Sequence, residues 1–110
     1  MNSDGSLWQS SLMNRRSVIA KLRRHETELK AAGIVHLRLH GSVARGDMHS
    51  DSDIDLIGDF DRARHLTLVD MAGLEHKLAD ILGVRVDLSD RRMLKQPVRA
   101  KAEREAVLAF

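Results

Sequence analysis

Three aspartates, Asp53, Asp55 and Asp87, are the residues of this chain best suited to chemistry. Asp53 and Asp55 stand one residue apart in the run Asp53-Ile54-Asp55-Leu56-Ile57, where acidic and apolar residues alternate. In an extended strand, a period of two puts both carboxylates on one face, about 7 Å apart at Cα, while Ile54 and Leu56 enter the core. Asp87 occupies an equivalent place between Val86 and Leu88. Neighbouring strands lie about 5 Å apart, so adjacency of the two runs would bring three carboxylates together. Like charges that close repel, and burial makes the repulsion worse. Mg²⁺ or Mn²⁺ is the natural remedy, since both prefer oxygen ligands and can keep waters while bridging phosphates. A lone aspartate in a short strand is more often simply solvent-facing, so the weight falls on what precedes the pair.

What precedes it is Gly41-Ser42-Val43-Ala44-Arg45-Gly46, directly after an apolar strand-like run. A glycine lets the backbone approach a ligand closely. The Ser42 hydroxyl and nearby backbone N–H groups can then take phosphate oxygens at the start of a short helix. Two other motif readings fail. A calcium loop through Asp51, Asp53 and Asp55 would need glycine where Leu56 stands and glutamate where Arg62 stands. A P-loop would need a lysine and a serine or threonine after the glycines. His40 and His49 flank the motif and are read as hydrogen-bonding or surface residues, outside the metal set. His25, His36, His65 and His76 have no partners at ligand spacing.

The elements that must position these residues follow from periodicity. Residues 11–32 carry Leu12, Ile19, Leu22, Leu29 and Ala32 at broadly helical spacing, and Gly33 suits a helix stop. Residues 34–40 alternate, Val35, Leu37 and Leu39 against His36, Arg38 and His40, and predict a strand. Residues 47–52 predict a loop, and 53–60 a second strand with Ile54 and Leu56 on one face and Asp53, Asp55 and Ile57 on the other. Residues 66–82 predict the clearest helix, with Met71, Leu74, Glu75, Leu78 and Leu82 on one face, Thr67 or Asp70 at its start and Gly83 at its stop. Residues 84–88 predict a third strand, and Pro97 opens a short helix. Val107 to Phe110 fits a last strand or a last helix. The order predicts an α/β (α+β) fold, a mixed β-sheet packed against helices. Residues 1–10 are expected to be a flexible leader, with Trp8 as a docking residue at most, and 11–110 the domain.

Composition bounds the rest. The chain has 110 residues, 43% of them apolar, enough for one small domain with a thin core and little room for a separate acceptor-binding lobe. Eighteen basic residues against 16 acidic ones leave a formal charge of +2. The isoelectric point is about 9.4, yet so small a net charge gives weak long-range attraction. Nucleic acid is therefore not expected as the main partner. Arg91, Arg92, Lys95, Arg99, Lys101 and Arg104 crowd the C-terminal part and are expected to form a basic rim or partner surface. There is no cysteine, which excludes disulfides and thiolate metal sites. No run approaches the about 18 apolar residues of a membrane span, and a cytoplasmic protein is expected.

Gly41-Ser42, ten residues, then Asp53-Ile54-Asp55 resembles the signature of the DNA polymerase beta-like nucleotidyltransferase superfamily. More closely, Leu39 to Gly46 and Ser52 to Ile57 resemble the minimal nucleotidyltransferases, the MNT-type proteins that are commonly antitoxin partners of HEPN-domain ribonuclease toxins. The likeness extends over roughly Leu29 to Phe110, and Val86-Asp87-Leu88 matches the family's third carboxylate. It implies a small nucleotidyltransferase fold that carries AMP from ATP to a hydroxyl with two Mg²⁺ ions. Asp53 and Asp55 would bind metal, and Asp87 would help deprotonate the acceptor. Gly41 and Ser42 would hold the triphosphate, with Arg45 as a weaker phosphate candidate whose competing uses are an ion pair to Asp47 or an exposed side chain. The acceptor would be a tyrosine of a HEPN-type ribonuclease toxin encoded nearby. Three other readings stay open at this level: a module of the same fold that neutralises a partner by contact alone, an enzyme acting on a small molecule or an RNA end, and an α/β domain with fortuitous acids.

Overall fold

The computed structural model describes residues 14–45 and 53–110, apart from the side chain of Ser42. Asn14 opens the first helix, its side-chain oxygen accepting the Ser17 N–H at 2.9 Å. The expected single helix over 11–32 is two: α1 (Arg15–Arg24) and α2 (Glu26–Ala31). The break falls at His25, whose backbone leaves helical geometry and whose imidazole Nδ1 bonds to the Lys21 carbonyl at 3.0 Å. Residues 11–13, the leader and Trp8 lie outside the described part.

β1 (Ile34–His40) has the expected bounds, but not the expected alternation throughout. An irregularity in pairing between Ile34 and His36 turns Val35 outward, to 42% exposure, and makes Ile34, Leu37 and Leu39 the buried set. Then come α3 (Ser42–Arg45), β2 (Ile54–Phe60), a 3-10 turn at Arg62–Arg64 and α4 (Leu68–Leu82). Both candidates at the start of α4 contribute, in a reciprocal cap. The Thr67 hydroxyl accepts the Asp70 N–H, and the Asp70 carboxylate accepts the Thr67 N–H. Gly83 stops this helix at φ +76°, the left-handed geometry that glycine adopts readily.

β3 lies at Val86–Asp90, two residues later than expected, because its extent is set by pairing with β2. A second 3-10 turn (Arg91–Met93), α5 (Val98–Glu105) and β4 (Val107–Leu108) complete the chain, so the segment left open is a short strand. The sheet order is β3-β2-β1-β4, with β2 and β3 parallel and β1 antiparallel to both β2 and β4. A mixed sheet against helices is the expected class. Among the described residues no helix is long and apolar enough to cross a membrane.

The two faces of the sheet differ. One carries Leu37, Leu39, Ile54, Leu56 and Val86 into a single cluster with Val18, Leu22, Leu29, Leu74, Leu78 and Leu82 from α1, α2 and α4. Glu75, expected on the apolar face of α4, has a different task. Its carboxylate accepts the Leu88 N–H at 2.9 Å, covering a backbone donor of the edge strand β3. The other face carries Arg38, His40, Asp55, Ile57 and Asp59, and α5 covers part of it through the buried Ala102. The tail closes the far edge, Leu37 exchanging hydrogen bonds with Ala109 and Phe110.

Ion pairing engages three of the six residues of the expected basic rim, Arg91, Arg92 and Arg99. Arg91 and Arg38 both donate to the Asp59 carboxylate, which is 17% exposed, while Arg92 lies 3.9 Å from Asp90 and Arg99 3.9 Å from Glu103. Burial pushes the Asp59 carboxyl up, but the hydrogen bonds from Arg91 and Arg38 outweigh it and hold the group below its ordinary value of 3.8. A depressed folded value means stability that is present above the unfolded value and lost as pH falls through the folded one. Asp59→Asn should therefore cost about 2 kcal/mol at neutral pH, the worth of hydrogen bonds to a charged group, and flatten the loss of stability in acid. Urea denaturation of both proteins, from neutral pH down through the carboxylate range, checks both effects. Thr67→Ala should cost about 1 kcal/mol in the same measurement at neutral pH.

Candidate active site

Asp55 sits in the middle of a row of three strands. β2 and β3 pair in register with Asp55 opposite Asp87, and β1 and β2 pair with His40 opposite Asp55. Parallel in-register pairing turns both aspartates to the same face, the one left clear of the main core. Asp53 stands one residue before β2 rather than within it, and its Oδ1 lies 3.2 Å from Nε of the exposed Arg85. Arg85 belongs to the stretch that feeds β3, and its carbonyl accepts the Ile54 N–H at 3.0 Å. The strand pairing that joins Asp55 to Asp87 therefore also carries Arg85 to Asp53.

Gly41 brings the phosphate-turn candidate against this row. It has φ +71°, and a Cβ added there would fall 2.5 Å from Oδ2 of Asp55. Two independent constraints thus oppose a side chain here: the left-handed backbone, and a carboxylate that would have to move aside. Ser42 opens α3, and the Arg45 N–H closes the turn on the Gly41 carbonyl at 3.2 Å. Val43 and Ala44 are buried, and Arg15 from α1 donates to the Ala44 carbonyl at 2.9 Å, so the short helix is held from below and from the side. Arg45 points its guanidinium toward α5, where Nη1 lies 3.8 Å from Oε1 of Glu105. Asp47, the alternative partner, lies outside the described residues, as do Gly46, His49 and Ser52.

The electrostatics centre on Asp55. Burial raises its carboxyl above the ordinary carboxylate value and the Asp87 charge raises it further, with His40 pulling it down, Asp53 pushing it up and Arg45 pulling it down. Among the described residues, no group of three or more His, Cys, Asp or Glu side chains stands as placed in a set that could hold a metal ion. Backbone register brings Asp55 and Asp87 together; it does not by itself gather three side chains into a finished cage, and the Asp53 carboxylate lies on Arg85. The donor set still suits a hard divalent cation. Its ligands would be carboxylate oxygens, and the repulsion that raises Asp55 is the kind a cation removes. The Nε2 of His40 beside them is buried without a hydrogen-bond partner, a second sign that the row is not internally satisfied.

Three residues that sequence reasoning does not assign border this row. His40 reads as a surface or hydrogen-bonding residue, although alternation in β1 places it on the Asp55 face once β1 and β2 are neighbours. Arg85 shares a period-two face with Asp87, which is the available signal for its contact with Asp53. Glu105 carries no signal, since it reaches Arg45 only through the folding back of α5 and β4.

The family profile described as a nucleotidyltransferase domain matches residues 22–109. The protein adenylyltransferase MntA of Thermococcus cleftensis is 34% identical over 87 residues, which are 78% of this chain and 86% of that one. A solved structure provisionally described as a minimal nucleotidyltransferase superposes with a TM-score of 0.73 at 37% identity, covering 86% of this chain and 95% of the other. A crystal structure of a toxin–antitoxin with AMP-PNP gives a TM-score of 0.64 at 26% identity, over 89% of this chain and 73% of its counterpart. With the glycine-serine turn, the strand-borne acids and the mixed sheet in place, the chain belongs to the nucleotidyltransferase-domain family, in its minimal form.

Proposed function

We propose that this chain transfers AMP from ATP, with Mg²⁺, to a tyrosine hydroxyl of a HEPN-type ribonuclease toxin and so acts as its antitoxin. The observation that carries the reading is the register of Asp55 with Asp87 beneath a glycine that no other residue could replace without displacing Asp55. The name of the Thermococcus relative, a protein adenylyltransferase, supports a protein acceptor. The toxin–antitoxin structure with AMP-PNP supports an adenine nucleotide and a toxin partner.

In this mechanism Asp53, Asp55 and Asp87 would hold Mg²⁺, and Asp53 would have to leave its contact with Arg85 to do so. When bound, Mg²⁺ neutralises charge on the transferring phosphoryl group and on the departing pyrophosphate. Gly41 lets the backbone lie close to the triphosphate, and Ser42 and Arg45 take its oxygens. The acceptor oxygen forms a bond to the α-phosphorus as the bond to the bridging oxygen of pyrophosphate breaks, and the hydroxyl proton passes to Asp87. Placement and charge do most of this work, as is general for phosphoryl chemistry.

Incubation with α-labelled ATP, Mg²⁺ and the product of the neighbouring gene should place label on that partner. Asp53→Ala and Asp55→Ala should each reduce transfer by about a hundredfold or more, since several kcal/mol of charge stabilisation are removed. Transfer that survives both changes sinks the reading. Full neutralisation of the toxin by the double variant, without label, would assign neutralisation to contact alone. Gly41→Ala should keep the circular-dichroism spectrum and melting profile of a folded chain. Its positive φ alone costs an alanine about 1–2 kcal/mol. With Asp55 displaced as well, transfer should fall by about tenfold or more, the equivalent of about 1.4 kcal/mol.

A further inference from the structure

The Arg45–Glu105 contact joins the phosphate turn to an element that the reaction itself does not use. Arg45 ends α3, the four-residue helix begun by Ser42, and Glu105 ends α5. Nη1 and Oε1 lie 3.8 Å apart, within ion-pair reach and beyond a hydrogen bond. Oε1 of Glu105 is buried and has no hydrogen-bond partner, although the side chain as a whole is 33% exposed. A carboxylate oxygen withdrawn from water and left without a hydrogen bond is costly, and the nearby guanidinium is what offsets the cost. Arg45 is drawn from the other side too, since its charge is felt at Asp55.

The fold explains how Glu105 comes to be there. β4 pairs with β1 through Leu39 opposite Val107, so the residues just before Val107 run alongside His40 at the end of β1, next to Gly41. The Nε2 of His40 is the other buried and unpartnered polar side-chain atom of the described residues. Two orphaned polar atoms, from adjacent places on the β1–β4 edge, thus border the turn that carries Arg45. At this distance Glu105 can orient the guanidinium without a hydrogen bond that an incoming anion would have to break.

We propose that Glu105 is a positioning residue for Arg45. It holds the guanidinium over the Gly41-Ser42 turn from the α5 side, so that the phosphates of the nucleotide meet a cation already in place. The proposal rests on the reading above that Arg45 contacts the triphosphate. Pre-placement lowers the ordering cost of binding, so its loss shows in nucleotide affinity more than in turnover.

The test is titration calorimetry of the full chain with Mg²⁺ and α,β-methylene-ATP, an analogue that binds without transfer, alongside kcat and KM for ATP. Glu105→Gln should weaken analogue binding and raise KM by about three- to tenfold with kcat within about twofold. Glu105→Asp, which keeps the charge on a shorter arm, should recover part of the loss. In an Arg45→Ala background, Glu105→Gln should have no further effect, because the two residues act as a unit. If Arg45→Ala leaves analogue binding unchanged, the phosphate role of Arg45 is wrong and this proposal falls with it. If Arg45→Ala weakens binding but Glu105→Gln does not, or the two losses simply add, only the positioning role is overturned. Should Glu105→Gln melt several degrees lower, Glu105→Asp reads the same coupling when introduced with and without the Arg45→Ala change, and additivity there overturns it equally.

Discussion

The constraint on which this molecule turns is negative charge gathered on adjacent strands, around a half-buried Asp55 with the exposed Asp87 beside it. Asp55 has Asp87 beside it on one strand and His40 on the other, with a glycine backbone pressed down on its carboxylate. Asp87 and His40 are set by hydrogen-bonded strand register, which cannot drift by one residue without turning Ile54 and Leu56 out of the main core. The core on one face of the sheet therefore enforces the chemistry on the other. Ile54 and Leu56 are held in the core at 0% and 1% exposure, and Asp55 between them has no choice of direction.

The same coupling explains why the surroundings of the row are pinned so thoroughly. The short helix after Gly41 is too brief to be stable alone, since a costly nucleus must form before propagation adds stability. It is kept by burial of Val43 and Ala44 and by the hydrogen bond from Arg15. On the second face, Asp59 fixes two arginines in place and offsets one of their two charges. The site thus draws on α1, α3, α5 and three strands, in a domain too small to dedicate any of them to it alone.

What is legible without the fold is whatever depends on local period. The bounds of β1, the alternation through Asp55 and the stop at Gly83 all follow from neighbouring residues in the chain. So does the likeness of the Gly41-Ser42 and Asp53-Ile54-Asp55 spacing to nucleotidyltransferases, with which the family match over residues 22–109 agrees. What escapes is decided by contacts distant in sequence. The outward turn of Val35 comes from irregular pairing with β2, and the two-residue displacement of β3 from the length of the same partner. Val107-Leu108 has no periodicity to read, and β1 alone makes it a strand. The break at His25 is local but rests on an imidazole choosing a backbone carbonyl, which spacing does not disclose. Glu105 beside Arg45 combines both difficulties.

The carboxylate of Glu75 on the Leu88 N–H has a consequence for how other chains meet this one. An open sheet invites β-augmentation, the addition of a foreign strand along an unpaired edge. Here the β3 edge offers one of its outward donors already occupied by a charged acceptor, which an incoming backbone carbonyl would have to displace. The opposite edge, β4, is two residues long. Among the described residues, strand addition thus meets an occupied donor at one edge of the sheet and a two-residue ladder at the other.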